Sequence, residues 1–472
     1  MGDQQSHEQD IKKNLPLIFV LLSGAFITIL NQTLLGTALP PIMEDLNLTE
    51  STVQWLQSIF MLVNGIMIPV TAFLIERFTT RKLFLTAMSL FAFGTLLAAV
   101  APNFSFLLIG RIFQAAGAGI MMPLLQTIMF LIFPIERRGT AMGMFGLVIA
   151  FAPAIGPSLS GWLVDHFPWR SVFYVVLPIA IINIVAAYFL LKNVTEQTNP
   201  KVDVFSIILS TLGFGGLLYG FSIAGEVGWL SVQFAISIVV GTISLVIFIL
   251  RQLKLEKPIL EFRVFTYKTF SLTTGLGMIV FISMIGTAVI LPLYMQNMLG
   301  FTAFASGLVL LPGAIIMGIM NPITGRLFDR FGARGLAITG FFLLVITTFM
   351  FTNLSKETTF TYLAVMNAFR MLAIAMVMMP VTTAGLNELP PHLIPHGSAM
   401  NNTFRQVSGA VGTAMLVTIM ATSAIPTDGV EGLIRGVNVS FIVAGVISVL
   451  GLFLSFYIKK SKPTSAPLKK QA

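Results

Sequence analysis

The stretch PVTAFLIERFTTRKL at residues 69–83 is written again, with substitutions, as PITGRLFDRFGARGL at residues 322–336. Pro69, Thr71, Leu74, Arg77, Phe78, Arg81 and Leu83 recur as Pro322, Thr324, Leu327, Arg330, Phe331, Arg334 and Leu336, and the acid Glu76 recurs as Asp329. Solenoid repeats have periods of about 20–50 residues, so copies this far apart read as a duplicated half of a protein.

Composition says in which solvent the halves live. Hydrophobic residues make up 56% of the chain and charged residues 10%, with a mean hydropathy of +0.90. A soluble domain carries about 25% charged residues, so the chain reads as a multi-spanning membrane protein. The absence of cysteine rules out a disulfide framework and a thiolate metal site. The polar, acidic start MGDQQSHEQD, with no small-residue cleavage site after the first apolar run, argues against a signal peptide.

Crossing about 30 Å of hydrocarbon takes roughly 20 apolar residues in a helix. The chain offers fourteen such runs, the first near 15–36 and the last near 437–458. They are long, continuous and without period-two alternation, which predicts helices. Of the 28 Lys and Arg residues, Arg170, Lys356 and Arg435 fall on one side, and Arg111, Arg370 and Arg405 fall inside spans. All the others lie on the side of the termini and of the duplicated turns. The positive-inside bias makes that side cytoplasmic. The net charge of +9 then needs no nucleic acid, since anionic inner-leaflet lipid attracts the same loops.

Both copies of the repeat sit at a short cytoplasmic turn, between spans two and three and between spans ten and eleven. In each, an acid precedes an arginine (Glu76 and Arg77; Asp329 and Arg330), and Arg81 and Arg334 follow. Such an acid can pair with a basic group or a helix N-terminus across a partly desolvated interface, locking two helix bundles together. Positive-inside anchoring alone would use the arginines and leave the acids unexplained.

GRLFDRFGAR resembles the loop signature of the major facilitator superfamily, and AFLIERFTTR resembles a weakened copy, with Ala72, Glu76 and Thr79 where the family usually has Gly, Asp and Gly. RIFQAAGAG, carrying Arg111 and Gln114, resembles the family's RxxQGxGxA. Gly143, Ala152, Gly156, Pro157, Ser160 and Gly161 are similar in spacing to its antiporter motif Gx8Gx3GPx2GG. WRSVF (169–173) and NNTFRQVSGAVG (401–412) look like elements of its fourteen-helix drug:proton antiporters of the multidrug and lincomycin-resistance type.

The resemblance implies an all-α integral membrane fold, two six-helix halves plus two extra central helices. Its divisions are a cytoplasmic tail (1–14), an N-terminal half (15–191), the extra pair (204–250), a cytoplasmic linker (251–269), a C-terminal half (270–458) and a basic tail (459–472). It implies a monomeric plasma-membrane exporter of drugs or other small amphipathic compounds, working by proton antiport and alternating access without a cofactor. A narrow-specificity transporter of one metabolite or lipid precursor, with or without proton coupling, is the alternative.

The family's cavity helices correspond to spans one, four, nine and twelve. They make Asn31, Gln32, Arg111, Gln114, Tyr294, Gln296, Asn297 and Arg370 the candidate substrate-binding residues. Arginine inside a span costs about 2.5–3.5 kcal/mol on insertion scales, so Arg111 is expected to face a polar cavity. Arg370 and Arg405 either bind anionic or carbonyl groups of substrate or hold helices through backbone carbonyls. Family members commonly carry an acid in the first helix, where this chain has Asn31 and Gln32, and none of its 19 acids lies mid-span. Proton coupling is therefore expected at helix ends, through Asp165 beside His166, or through Glu76 and Asp329. No zinc-hydrolase, Walker, nucleophile-elbow or dinucleotide motif occurs, so no enzyme activity and no metal is expected; His392 and His396 lie in proline-rich PPHLIPHG.

Overall fold

The computed structural model describes residues 2–195, 197, 198, 200 and 202–459. Lys201 and the basic tail from residue 460 onward lie outside these residues, as do the side chains of Lys12 and Lys13. The described chain is helical, with fourteen helices long and apolar enough to cross a membrane. They are α1 (Gly2–Asp45), α2 (Glu50–Arg77), α3 (Thr80–Ala99), α4 (Phe104–Ile132), α5 (Arg138–His166), α6 (Ser171–Leu190), α7 (Val204–Val227), α8 (Val232–Lys254), α9 (Lys268–Asn297), α10 (Ala303–Phe331), α11 (Ala333–Met350), α12 (Phe360–Asn387), α13 (Ile394–Ser423) and α14 (Gly429–Ser455). Residues 2–13, expected as a tail, continue α1 backwards as helix.

Polar residues punctuate the helices where the chain turns. Thr49, Thr79, Asn103, Asp203, Ser231, Thr302 and Thr359 each accept a bond from an amide in the first turn they cap. Gly332 joins α10 to α11 with φ 79, a conformation a side chain rarely adopts. Its counterpart Thr79 sits at φ −61 and caps α3 through its hydroxyl, so the first turn has no need of a glycine.

Helices α1–α6 and α9–α14 form the two halves, and the α7–α8 hairpin lies at their seam. The hairpin is closed by small residues: a Cβ on Gly216 would stand 2.8 Å from Cα of Gly241. Helix α7 packs on both α2 and α13. Tyr219 stacks on Trp55 of α2 at 5.9 Å, and Trp229 Nε1 donates to Thr418 Oγ1 of α13 at 2.6 Å. The extra helices thus touch both halves.

WRSVF ties helix ends together on the face away from the duplicated turns. Trp169 Nε1 donates to Asp45 Oδ2 at 2.9 Å, while Arg170 donates to Asp45 at 3.0 Å and to the carbonyl of Ala101 at 2.9 Å. NNTFRQVSGAVG packs α13 on α9, with Gly409 against Phe281 and Gly412 against Ile282.

Candidate functional site

The duplicated turns lie on one face of the molecule, here called the basic face, and both acids reach across the seam. Asp329, at the end of α10, accepts hydrogen bonds from the amides of Gly139 (2.7 Å) and Thr140 (2.8 Å) and from the Thr140 hydroxyl (2.6 Å). It caps the N-terminus of α5, where unpaired amides and the helix dipole favour a negative charge. Gly325 makes this approach feasible: α5 lies so close that an added Cβ would collide with the carbonyl of Gly139.

Glu76 occupies the equivalent place at the end of α2 and meets the N-terminus of α13. Its Oε1 lies 2.8 Å from Nε2 of His396. His396 Nδ1 accepts from the amide of Glu261, 3.3 Å away, so hydrogen bonding assigns the ring proton to Nε2, donated to Glu76. Glu261 belongs to the segment joining α8 to α9, which is thereby pinned into the seam. Where the second copy has a glycine and a short acid on two amides, the first has Ala72, a longer acid and a histidine side chain.

The sequence reading missed His396 as a partner. A partial signal was there: GTAM at Gly139–Met142 and GSAM at Gly397–Met400 are copies of one helix start, which marks the start of α13 as the counterpart of the helix end that Asp329 caps.

More bonds close the same face. Gln126 Oε1 on α4 accepts from Ser398 Oγ (2.7 Å) and Asn402 Nδ2 (2.6 Å) on α13. Arg138 donates to Asn387 Oδ1 at 3.0 Å, and Asn321 Nδ2 donates to the carbonyl of Gly146 at 2.7 Å. Among the described residues, the hydrogen bonds between the two halves all lie in the part of the membrane nearer the basic face. The seam is shut there.

The antiporter-like motif divides between two neighbours of α5. Gly143 faces α10, and a Cβ on it would stand 2.6 Å from the carbonyl oxygen of Asn321. Ala152 and Gly156 face α1: Thr33 Oγ1 lies 3.4 Å from the Ala152 carbonyl, and a Cβ on Gly156 would collide with that same Thr33 hydroxyl. Ser160 is buried and Pro157 exposed, and nothing lies within 4 Å of a Cβ built on Gly161.

The turn arginines do local work. Arg77 donates to the Pro200 carbonyl at 3.1 Å, Arg81 stacks on Tyr188 at 4.6 Å, and Arg330 lies 5.1 Å from the Phe331 ring centre. Arg334 is half-buried at the start of α11.

The eight expected substrate residues have differing surroundings. Arg111 is fully buried within the N-terminal half: Nε donates to the Leu56 carbonyl (3.1 Å), Nη1 to Gln114 (2.8 Å), and the guanidinium lies over Phe60 at 4.3 Å. Gln114 passes the bond on to Thr95 of α3 at 2.9 Å. Tyr294 donates to the Ser355 carbonyl at 2.6 Å, and Gln296 and Asn297 are exposed where α9 ends. These residues hold helices of one half together or face outward. Gln32 is half-buried, while Asn31 and Arg370 are buried with polar atoms that no group among the described residues satisfies. Asp165 and His166 are exposed at the end of α5, with the His166 ring on the Trp162 carbonyl at 2.9 Å, away from the seam bonds.

A helical membrane protein with duplicated turns that latch two halves belongs to the class of two-half transporters. The comparisons agree. Residues 21–413 match the family model described as Major Facilitator Superfamily, and the chain belongs to that family. It is 58% identical to the uncharacterized MFS-type transporter YcnB of Bacillus subtilis (strain 168), over 94% of this chain and 95% of the relative. It is 43% identical to the lincomycin resistance protein LmrB of Listeria monocytogenes, over 95% and 97%. The fold superposes on the proton:xylose symporter XylE with a TM-score of 0.65 at 14% identity, covering 96% of this chain and 98% of that one. The protein is a transporter, not an enzyme. The fourteen-helix, two-half expectation stands.

Proposed function

We propose that the protein is a secondary exporter of drug-like amphipathic compounds in the plasma membrane, with the basic face cytoplasmic. The observation that carries this reading is the symmetric latch: each half's turn acid holds the first turn of a helix in the other half. A latch on one face, with no hydrogen bond between the halves on the other among the described residues, is what alternating access by rocking halves requires. The similarity to a lincomycin resistance protein supports drugs as cargo.

Coupling to protons belongs to Glu76 and Asp329 in this reading, since no acid sits mid-span to alternate between proton and drug. A proton on Asp329 removes the charge that faces the α5 amides and so favours opening of the basic face. That sign suits antiport, in which the protonated carrier opens inward. The test is accumulation in everted membrane vesicles of a panel of unrelated antibiotics, with and without an imposed pH gradient. Uphill accumulation of several compounds that collapses with the gradient supports the reading; transport of one metabolite only, indifferent to pH, rejects it.

A further inference from the structure

The spans hold three buried arginines, and among the described residues none of them forms an ion pair with a carboxylate. Arg111 and Arg370 have no exposed surface, and Arg405 is 7% exposed. Arg111 is occupied as described, and Arg405 lies over the Phe281 ring at 4.9 Å. Arg370 is different. Its Nη2 donates to both the carbonyl (2.7 Å) and the hydroxyl (2.6 Å) of Ser283 on α9, while Nε and Nη1 have no hydrogen-bond partner among the described residues.

Those two donors sit about 15 Å along α12 from its start, at 1.5 Å per residue, and hence deep in the membrane. Asn367, one turn earlier on the same side of α12, is also buried and leaves Oδ1 unpartnered, its amide nitrogen 3.5 Å from the Leu310 carbonyl. A guanidinium held in apolar surroundings with free donors and no counter-charge is costly unless an anion or a strong acceptor completes it. Nε and one terminal nitrogen form the edge of the planar fork that suits a carboxylate or phosphate bidentately.

We propose that Arg370, braced by Ser283, is the docking point for an acidic or acceptor-rich group of the transported compound, and that the exporter prefers amphipathic anions over lipophilic cations. This rests on the exporter reading and narrows its substrate class.

Two nearly isosteric xanthene dyes test it, anionic fluorescein and cationic rhodamine 123. They are measured for binding to the purified full chain by fluorescence anisotropy and for accumulation in everted vesicles. The expected result is at least about tenfold tighter binding of fluorescein, a difference of about 1.4 kcal/mol. Arg370→Gln abolishes the difference, and Arg370→Lys keeps part of it, because the charge remains without the fork. Rhodamine 123 bound as tightly and pumped would overturn the anion preference while leaving the exporter intact. Fluorescein bound equally by Arg370→Gln would overturn the docking site. Neither dye bound while antibiotics are exported also rejects the inference, whereas no export of any compound removes the exporter reading itself. The dye comparison in the unmodified protein stands even if the variants fail to fold.

Discussion

Asp329 of one half closes a hydrogen-bonded ring on Thr140 of the other, one carboxylate oxygen taking both the amide and the hydroxyl, at 2.8 and 2.6 Å. The other oxygen takes the amide of Gly139. The two halves are therefore joined through a helix end, whose amides cannot be mutated away, by a side chain whose charge can. Bonds from amides to a charged acceptor contribute about 1.5–3 kcal/mol each, so neutralising this acid changes the balance between open and closed states.

Asp329→Asn should leave the amount of protein in the membrane unchanged and lower transport at least about tenfold. The chain contains no cysteine, so a single Ser398→Cys reporter in the seam can be labelled without background. In Asp329→Asn that cysteine should react with a membrane-impermeant thiol reagent faster from the basic face. Unchanged labelling and full transport would reduce the turn to a topology signal.

Thr140→Val separates the hydroxyl from the amides. It removes one bond of three to a charged acceptor and should cost at least about 1.5 kcal/mol of closure, roughly a tenfold shift in the reporter's labelling rate. An effect as large as that of Asp329→Asn would mean that the amides contribute nothing.

Glu76→Gln and His396→Gln should not be additive, since each removes the same 2.8 Å contact. A double-mutant cycle on transport rate should show coupling of at least about 0.5 kcal/mol. Simple addition would place His396 outside the latch.

Within the α5 motif, Gly143 and Gly161 should behave oppositely. Gly143→Val sets a branched side chain where even a Cβ lies 2.6 Å from a carbonyl of α10, and should hold the basic face open and stop transport. Gly161→Ala meets nothing within 4 Å and should be close to neutral. Equal loss in both would point to a bend in α5, not its packing on α10, as the motif's role.

The fold was legible because membrane spans announce themselves by length and the duplicated turn fixes the two-half plan. The acid at each turn was legible for a related reason: Glu76 and Asp329 have no local use in a positive-inside anchor. What they touch was not, because Gly139, Thr140 and His396 are far away in sequence and two of the bonds end on backbone amides, which carry no residue signature. Arg111 shows the converse limit. Its depth in an apolar run shows that it needs polar company, but a backbone carbonyl at Leu56 supplies that as well as a cavity would. Arg370 has the same sequence signature and a different environment, and only the count of its partners separates the two.

The most direct test of the latch as the coupling element is uphill transport by the double variant Glu76→Gln, Asp329→Asn in everted vesicles. Accumulation against a substrate gradient is followed with an imposed pH gradient, alongside downhill exchange without one. The account predicts that downhill movement persists while pH-driven accumulation is lost. Accumulation that still rises and collapses with the pH gradient in the double variant would contradict it and place the proton carrier elsewhere.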